Sequence, residues 1–334
     1  MTVSKDRLKV VVIGDPDRDN WSSARTPLDD AGVDLVVVRA GSVDDLVRQA
    51  PDAAGLVQAG LRFDRSLYER LTQLKAIGAM GIGVDTIDVA AATERGIIVF
   101  NLPGLIHRDV AAHAMMFVLA LARQLVPFHL AMKTAQRPQQ LNPIPHLHES
   151  TLGLIAFGSI AREVTKIAQA IGMNVIASDP IVDADAMTKA GVTKVTLDDL
   201  FRQSDFVSSH VPLSEETFHL VGAHHFNLMK PTAYFINTGR GKTVDEPALI
   251  QALRDKKLAG AGLDVLEQEP ASPENPLLSM DNVLLTPHSA SQSVNTREER
   301  KVRICQEMAR IFTGHWPAQG LVNRELRNRL QLAD

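Results

Sequence analysis

The sequence predicts an α/β protein made of two doubly wound units. Two observations carry this. Short, continuous apolar runs alternate with helical patterns through the first hundred residues, and the alternation begins again at Thr151. Runs that are apolar on both faces suit parallel strands covered on two sides. Their alternation with helices is the pattern of a doubly wound sheet.

Taken in order, "LKVVVI" (8–13), "DLVVV" (34–38), "GLVQ" (55–58), "LKAIG" (74–78) and "IIVF" (97–100) are the strands of the first unit. Helical patterns such as "SVDDLVRQA" and "FDRSLYERLTQ" lie between them. "NLPG" (101–104) marks a turn and a domain crossing. Residues 108–125, "RDVAAHAMMFVLALARQL", predict a helix that is apolar on nearly all faces. Such a helix must be covered in a core or at a subunit contact. The Pro-rich stretch "RPQQLNPIPHLHES" (137–150) reads as a connecting arm. The second unit has strands at 152–156, 174–178, 206–210, 233–237, 260–264 and 283–286. "TREERKVRICQEMARIFTG" (296–314) is an amphipathic helix, and its pattern does not say which unit it covers.

Composition excludes several classes. A chain of 334 residues suits two domains rather than one core. The net charge of -4, without a basic block, argues against binding nucleic-acid phosphates. Cys305 is the single cysteine, so no intrachain disulfide framework or zinc cluster is expected, and no metal. "MTVSKDRLKVVVIGD" runs straight into a strand and lacks the features of a signal peptide. The apolar stretch from Val110 to Val126 is short and interrupted by His113 and Arg123, so no membrane span is expected. These features point to a cytoplasmic protein.

The stretch from Thr151 to Pro180 has the layout of a dinucleotide-binding β-α-β unit. Its turn is Ala156-Phe157-Gly158-Ser159-Ile160-Ala161, where G-x-G-x-x-G is the usual pattern. Gly158 keeps the position at which the backbone approaches the pyrophosphate, and Ala161 is tolerated at the third. Ala156 is the departure. The amides of Ser159 and Ile160 open a helix towards an anion. Asp179 follows Gly158 by 21 residues, at the end of the next strand, where an acid would accept ribose hydroxyls. Its charge repels a 2′-phosphate, so NAD is expected rather than NADP.

Three further features end strands. "FINTGRGKTVDE" places Arg240 between Gly239 and Gly241, "GLDVLEQEP" carries Asp264 and Glu269, and "VLLTPHSAS" carries His288 after Pro287. Hydride exchange with a 2-hydroxy acid needs a proton carrier and a cation for the carboxylate. His288 suits the first task, since imidazole titrates near neutrality. Arg240 suits the second through its planar fork. Glu269 can hold the other imidazole nitrogen and favour the protonated ring. Each residue alone has an ordinary structural reading. Together at strand ends, beside a nucleotide turn, they point to hydride chemistry.

From about residue 50 to 325 the chain resembles the D-isomer-specific 2-hydroxyacid dehydrogenases. "SDFVSSHVPLSEETFHLV", "LMKPTAYFINTGRG", "LAGAGLDVLEQEP" and "NVLLTPH" carry the resemblance. It implies two Rossmann-like domains, the smaller one discontinuous: 1–103 with 294–334 for substrate, and 104–293 for NAD. It also implies catalytic roles for Arg240, Glu269 and His288, with Arg240 binding substrate. Asp264 is implied at the nicotinamide carboxamide, and Thr238, Gly239 and the His210, Val211, Pro212 segment along the cofactor. "GAMGIGVDTID" (78–88) resembles the substrate-carboxylate loop, with the amides of Ile82 and Gly83 as donors. The helix near 108–125 resembles a dimer-forming helix, so a homodimer is expected. Ala79 and Ala112 stand where many relatives carry an arginine and a glutamate. The reading is an NAD-dependent dehydrogenase acting on a small 2-hydroxy or 2-oxo acid. The alternative is an NAD(H)-sensing binding protein of the co-repressor type, which resembles the same motifs.

Overall fold

The computed structural model describes residues 7–58, 60–136 and 146–334, so most of the expected arm, 137–145, lies outside the described residues. The chain divides into two compact units, Met1–Ile106 with Ser293–Asp334, and His107–Gln292.

Unit 1 begins with β1 (Lys9–Ile13), α1 (Thr26–Asp30), β2 (Asp34–Val38), α2 (Val43–Gln49) and β3 (Ala53–Gln58). It continues through α3 (Arg65–Arg70), β4 (Ala76–Ala79), α4 (Val89–Glu94) and β5 (Ile98–Phe100). All strands are parallel, in the order β2-β1-β3-β4-β5. The helices start at side-chain caps: Ser42, Asp64 and Asp88 each accept a bond from a first-turn amide of α2, α3 and α4.

Unit 2 opens with α5 (His107–Ala122) and α6 (Leu125–Lys133), followed by β6 (Thr151–Ile155), α7 (Ser159–Ala170) and β7 (Asn174–Ser178). Then come α8 (Ala184–Lys189), β8 (Thr193–Lys194), α9 (Leu197–Gln203), β9 (Phe206–Ser209) and α10 (Ala223–Leu228). β10 (Tyr234–Asn237), α11 (Glu246–Arg254), β11 (Gly260–Leu263) and β12 (Val283–Leu285) complete it. This sheet is also parallel, ordered β12-β11-β10-β9-β6-β7-β8. The strand order reverses at β6, between β9 and β7. The two-residue edge strand β8 has no counterpart among the expected strands, because "TK" carries no apolar run.

The apolar stretch expected as one helix over 108–125 is two. α5 stops at Ala122, and Gln124 takes a left-handed conformation (φ 50°) before α6 begins. The two helices meet at 62°. Pro127 supplies the reason: inside a continuous helix its ring would strike the carbonyl of Arg123. α5 buries Ala111, Ala114, Met115, Phe117, Val118 and Leu121 within unit 2 and lies over β10 and β11. Gly262 on β11 is its seat, since a Cβ there would fall 2.7 Å from the Phe117 ring. α6 buries none of its residues. Among the described residues no single helix is long and apolar enough to cross a membrane; the bent α5–α6 pair passes only by length and composition.

The last long helix, α12 (Val294–Phe312), belongs to unit 1. It buries Ile304, Cys305, Met308 and Ile311 among residues of β1, β3, β4 and β5.

Candidate active site

Because every strand of the unit 2 sheet runs the same way, their carboxyl ends share one edge. Along that edge Ala156 follows β6, Asp179 follows β7, His210 follows β9, Thr238 to Arg240 follow β10, Asp264 follows β11, and His288 lies just beyond β12. Open α/β sheets bind ligands at this edge, beside the reversal of strand order.

The β6–α7 turn shows what the missing first glycine costs. Ala156 sits at φ 68°, in the left-handed region that favours glycine. Gly158 is the N-cap of α7, with extended backbone and no side-chain cap bond. A Cβ at Gly158 would meet open space within this chain, so the room it leaves is on the outside of the turn. The first intrahelical bond is from the Arg162 amide to the Gly158 carbonyl. The amides of Ser159 and Ile160 therefore belong to the helix opening, with no carbonyl partner within the helix, and the helix dipole adds to them.

Asp179 is built into this turn. Its Oδ2 accepts from the Phe157 amide at 2.8 Å, and its Oδ1 accepts from the amides of Ile181 and Val182 at 2.7 and 2.9 Å. Burial works to raise its pKa, and the three amides outweigh burial and hold it below the usual carboxylate range. A carboxylate has about four lone-pair sites, so these bonds leave capacity for a further donor.

Arg240, Glu269 and His288 come together although 48 residues of chain separate the first from the last. His288 Nδ1 lies 2.8 Å from Glu269 Oε2. This bond raises the imidazole pKa; partial burial and the nearby Arg240 charge oppose it. Glu269 is itself placed by the Leu266 amide, which donates to Oε1 at 3.1 Å. The Arg240 turn is locked onto the same loop. A Cβ at Gly241 would lie 1.9 Å from the Leu266 carbonyl oxygen, so only glycine allows this approach. The Arg240 carbonyl accepts from Asn237 Nδ2 and Thr243 Oγ1, at 3.0 and 2.7 Å.

Asp264 is buried, and both of its carboxylate oxygens face the His288 loop. Oδ1 accepts from Thr286 Oγ1 at 2.6 Å and from the Ser289 amide at 2.8 Å, and Oδ2 accepts from the Ala290 amide at 3.0 Å. His113 on α5 reaches the same place, with Nε2 2.8 Å from Thr286 Oγ1. Neither His113 nor Thr286 stood out in the sequence, since one sits in an apolar helix and the other in a strand-end run.

The remaining expected residues lie as follows. His210 ends β9, with Nε2 3.0 Å from Ser208 Oγ and Nδ1 3.4 Å from Thr238 Oγ1. Burial pushes its pKa down to about 4, so the ring is neutral at pH 7. Val211 is buried, and the backbone of Gly239 passes so close that a Cβ there would lie 3.0 Å from the Val211 carbonyl oxygen. Pro212 accepts from Thr217 Oγ1 at 2.7 Å through its carbonyl. Ile82 and Gly83 belong to unit 1, on the loop after β4. The Ile82 carbonyl accepts from Asn101 Nδ2 at 2.7 Å, which pins that loop. Ala79 is buried in β4, and Ala112 is on the exposed side of α5.

A parallel sheet with an anion-ready helix opening and a carboxylate-paired imidazole at its strand ends defines a nucleotide-dependent oxidoreductase. Comparison with known proteins narrows the class. Residues 115–290 match the model of the D-isomer specific 2-hydroxyacid dehydrogenase, NAD binding domain. A glyoxylate reductase of Korarchaeum cryptofilum is 38% identical over 267 residues, covering 79% of this chain and 80% of its own. A D-3-phosphoglycerate dehydrogenase of Methanocaldococcus jannaschii is 36% identical over 282 residues, 84% of this chain and 53% of its own, so this chain spans about half of that relative. The structure of a D-lactate dehydrogenase of Aquifex aeolicus, complexed with NAD and lactic acid, superposes with a TM-score of 0.80 at 28% identity, covering 91% of this chain and 95% of that one.

The chain belongs to the D-isomer-specific 2-hydroxyacid dehydrogenase family. It is an NAD-dependent oxidoreductase acting on the CH–OH group, moving a hydride between nicotinamide and C2 of a 2-hydroxy or 2-oxo acid. Relatives named as reductases and dehydrogenases favour this reading over that of an NAD(H)-sensing binding protein. The α7 opening, the space outside Gly158 and the acid at Asp179 fit the dinucleotide.

Proposed function

We propose that this protein reduces a small 2-oxo acid of the glyoxylate type, with protonated His288 as the proton donor. The observation that carries this is the 2.8 Å bond between His288 Nδ1 and Glu269 Oε2. It leaves Nε2 as the nitrogen for the substrate oxygen and favours the charged ring. NADH supplies the hydride. Arg240 grips the substrate carboxylate and carbonyl. Ser159 and Ile160 hold the pyrophosphate beside Gly158, and Asp179 takes a ribose hydroxyl. His210, Val211, Pro212, Thr238, Gly239 and Asp264 line the rest of the cofactor. Unit 2 then serves as the NAD-binding domain and unit 1 as the substrate domain. The glyoxylate type is inferred from the name of the Korarchaeum relative. We infer a cytoplasmic homodimer whose partner is a small acid, not a nucleic acid or a membrane.

The test is steady-state reduction of glyoxylate by NADH, for wild type and His288→Asn. Loss of a positioned proton donor costs on the order of a hundredfold or more in rate. The variant should lose turnover to that degree and still bind NADH with wild-type affinity. Near-normal turnover of His288→Asn would sink the assignment.

A further inference from the structure

The His288 loop is under backbone strain, and its restraint extends to a helix far away in sequence. His288 has φ 51°, a left-handed conformation rare for a residue with a side chain. Such a conformation persists only where its surroundings over-determine it. Asp264 supplies most of that restraint. Its carbonyl accepts from the His288 amide at 2.8 Å, and its carboxylate accepts from Thr286, Ser289 and Ala290. Four positions of one short loop therefore close on a single residue.

The Thr286 hydroxyl is the one rotatable member of this set. A hydroxyl has a single proton to donate. Thr286 Oγ1 donates that proton to Asp264 Oδ1, 2.6 Å away. The hydroxyl must then accept from His113, whose Nε2 is 2.8 Å away. His113 Nε2 thus carries a hydrogen. Its ring is held against Phe117, edge on at 5.0 Å, and Phe117 is seated on Gly262.

We propose that His113 is a positioning residue for the reaction: through the Thr286 hydroxyl and Asp264 it holds the strained loop that aims His288. The sequence of bonds is His113 Nε2–H to Thr286 Oγ1, Thr286 O–H to Asp264 Oδ1, and Asp264 to the amides around His288. This rests on the assignment of His288 as proton donor. Removing the Thr286 hydroxyl leaves the loop backbone bonded but loosens its entry, and a misplacement of about 1 Å can cost on the order of a hundredfold in rate.

The experiment is a double-mutant cycle on glyoxylate reduction, with NADH affinity measured by fluorescence. Thr286→Val keeps the volume and removes the hydroxyl; His113→Met keeps bulk and removes the donor. Each should lower kcat by about ten- to a hundredfold, with the Kd for NADH within about twofold of wild type. Thr286→Ser and His113→Gln, which keep a hydroxyl and a side-chain N–H, should recover most of the rate. The double variant should be no slower than Thr286→Val alone, because both changes break one series of bonds. Wild-type kcat in Thr286→Val overturns the proposal. So do additive losses in the double variant, or failure of both conservative variants to recover the rate. If His113→Met does not fold, His113→Phe, which keeps an aromatic ring and removes the donor, takes its place in the cycle. Normal turnover in His288→Asn would instead strike the proton-donor assignment, so the two failures are distinct.

Discussion

His288 and Glu269 form an exposed pair: 48% and 39% of their side-chain surfaces remain accessible. Solvent screens such a pair, so the geometry of the bond matters more than its stability contribution. Its effect is on the proton. The bond raises the His288 pKa, and an enzyme that needs imidazolium for reduction stays active up to that raised value. Reduction therefore falls as pH rises through it. In Glu269→Gln the charged partner is gone, and the falling limb of the kcat/KM profile for glyoxylate reduction should move to lower pH. An unmoved limb would show that Glu269 does not tune the ring. At this scale the sequence was partly legible. Arg240, Glu269 and His288 stood out because each is a chemically rare choice at a strand end. His113 did not, because its partner Thr286 is 173 residues away and its own neighbours are apolar.

The turn between β6 and α7 behaves as a strained element. Holding a non-glycine residue in the left-handed region costs roughly 1–2 kcal/mol, and Ala156 is there. Glycine removes that cost but gives back about 0.5–1 kcal/mol through the greater freedom of the unfolded chain. Ala156→Gly should therefore gain between nothing and about 1.5 kcal/mol, read as an unchanged or slightly higher Tm. NADH affinity should be unchanged or tighter, since the Ser159 and Ile160 amides keep their place. A marked loss of affinity would mean that this turn does not hold the dinucleotide. The α5–α6 break is the element that periodicity failed to show. Apolar pattern continues across Gln124, whereas the backbone cannot, with Pro127 placed to strike the Arg123 carbonyl.

The break matters for the whole molecule. α6 exposes Leu125, Leu130 and Met132 at 59%, 60% and 65%, and α5 exposes Met116 and Leu119 beside them in sequence. Large apolar side chains left exposed on two successive helices are candidates for an interaction site. A second copy of the chain is the expected occupant, and sedimentation velocity should show a dimer. Leu130→Glu with Met132→Glu should shift it towards monomer without unfolding it, because neither side chain is buried in the single chain. A wild-type monomer at micromolar concentration would count decisively against the homodimer.

Read by itself, the sequence determined the α/β class and eleven of the strands, and it singled out the candidate residues proposed to carry a proton, a carboxylate and a nucleotide. These depend on local pattern and on side-chain chemistry, both of which are written along the chain. The return of α12 to unit 1 was implied only by the family resemblance, since its own amphipathic pattern does not say which unit it covers. The tertiary structure alone decided that Asp179 braces the turn it follows. It alone placed Asp264 as the clamp on the His288 loop and put His113 within reach of Thr286. Those outcomes depend on which strand ends become neighbours, and parallel strands acquire their neighbours only when the intervening chain has crossed the sheet.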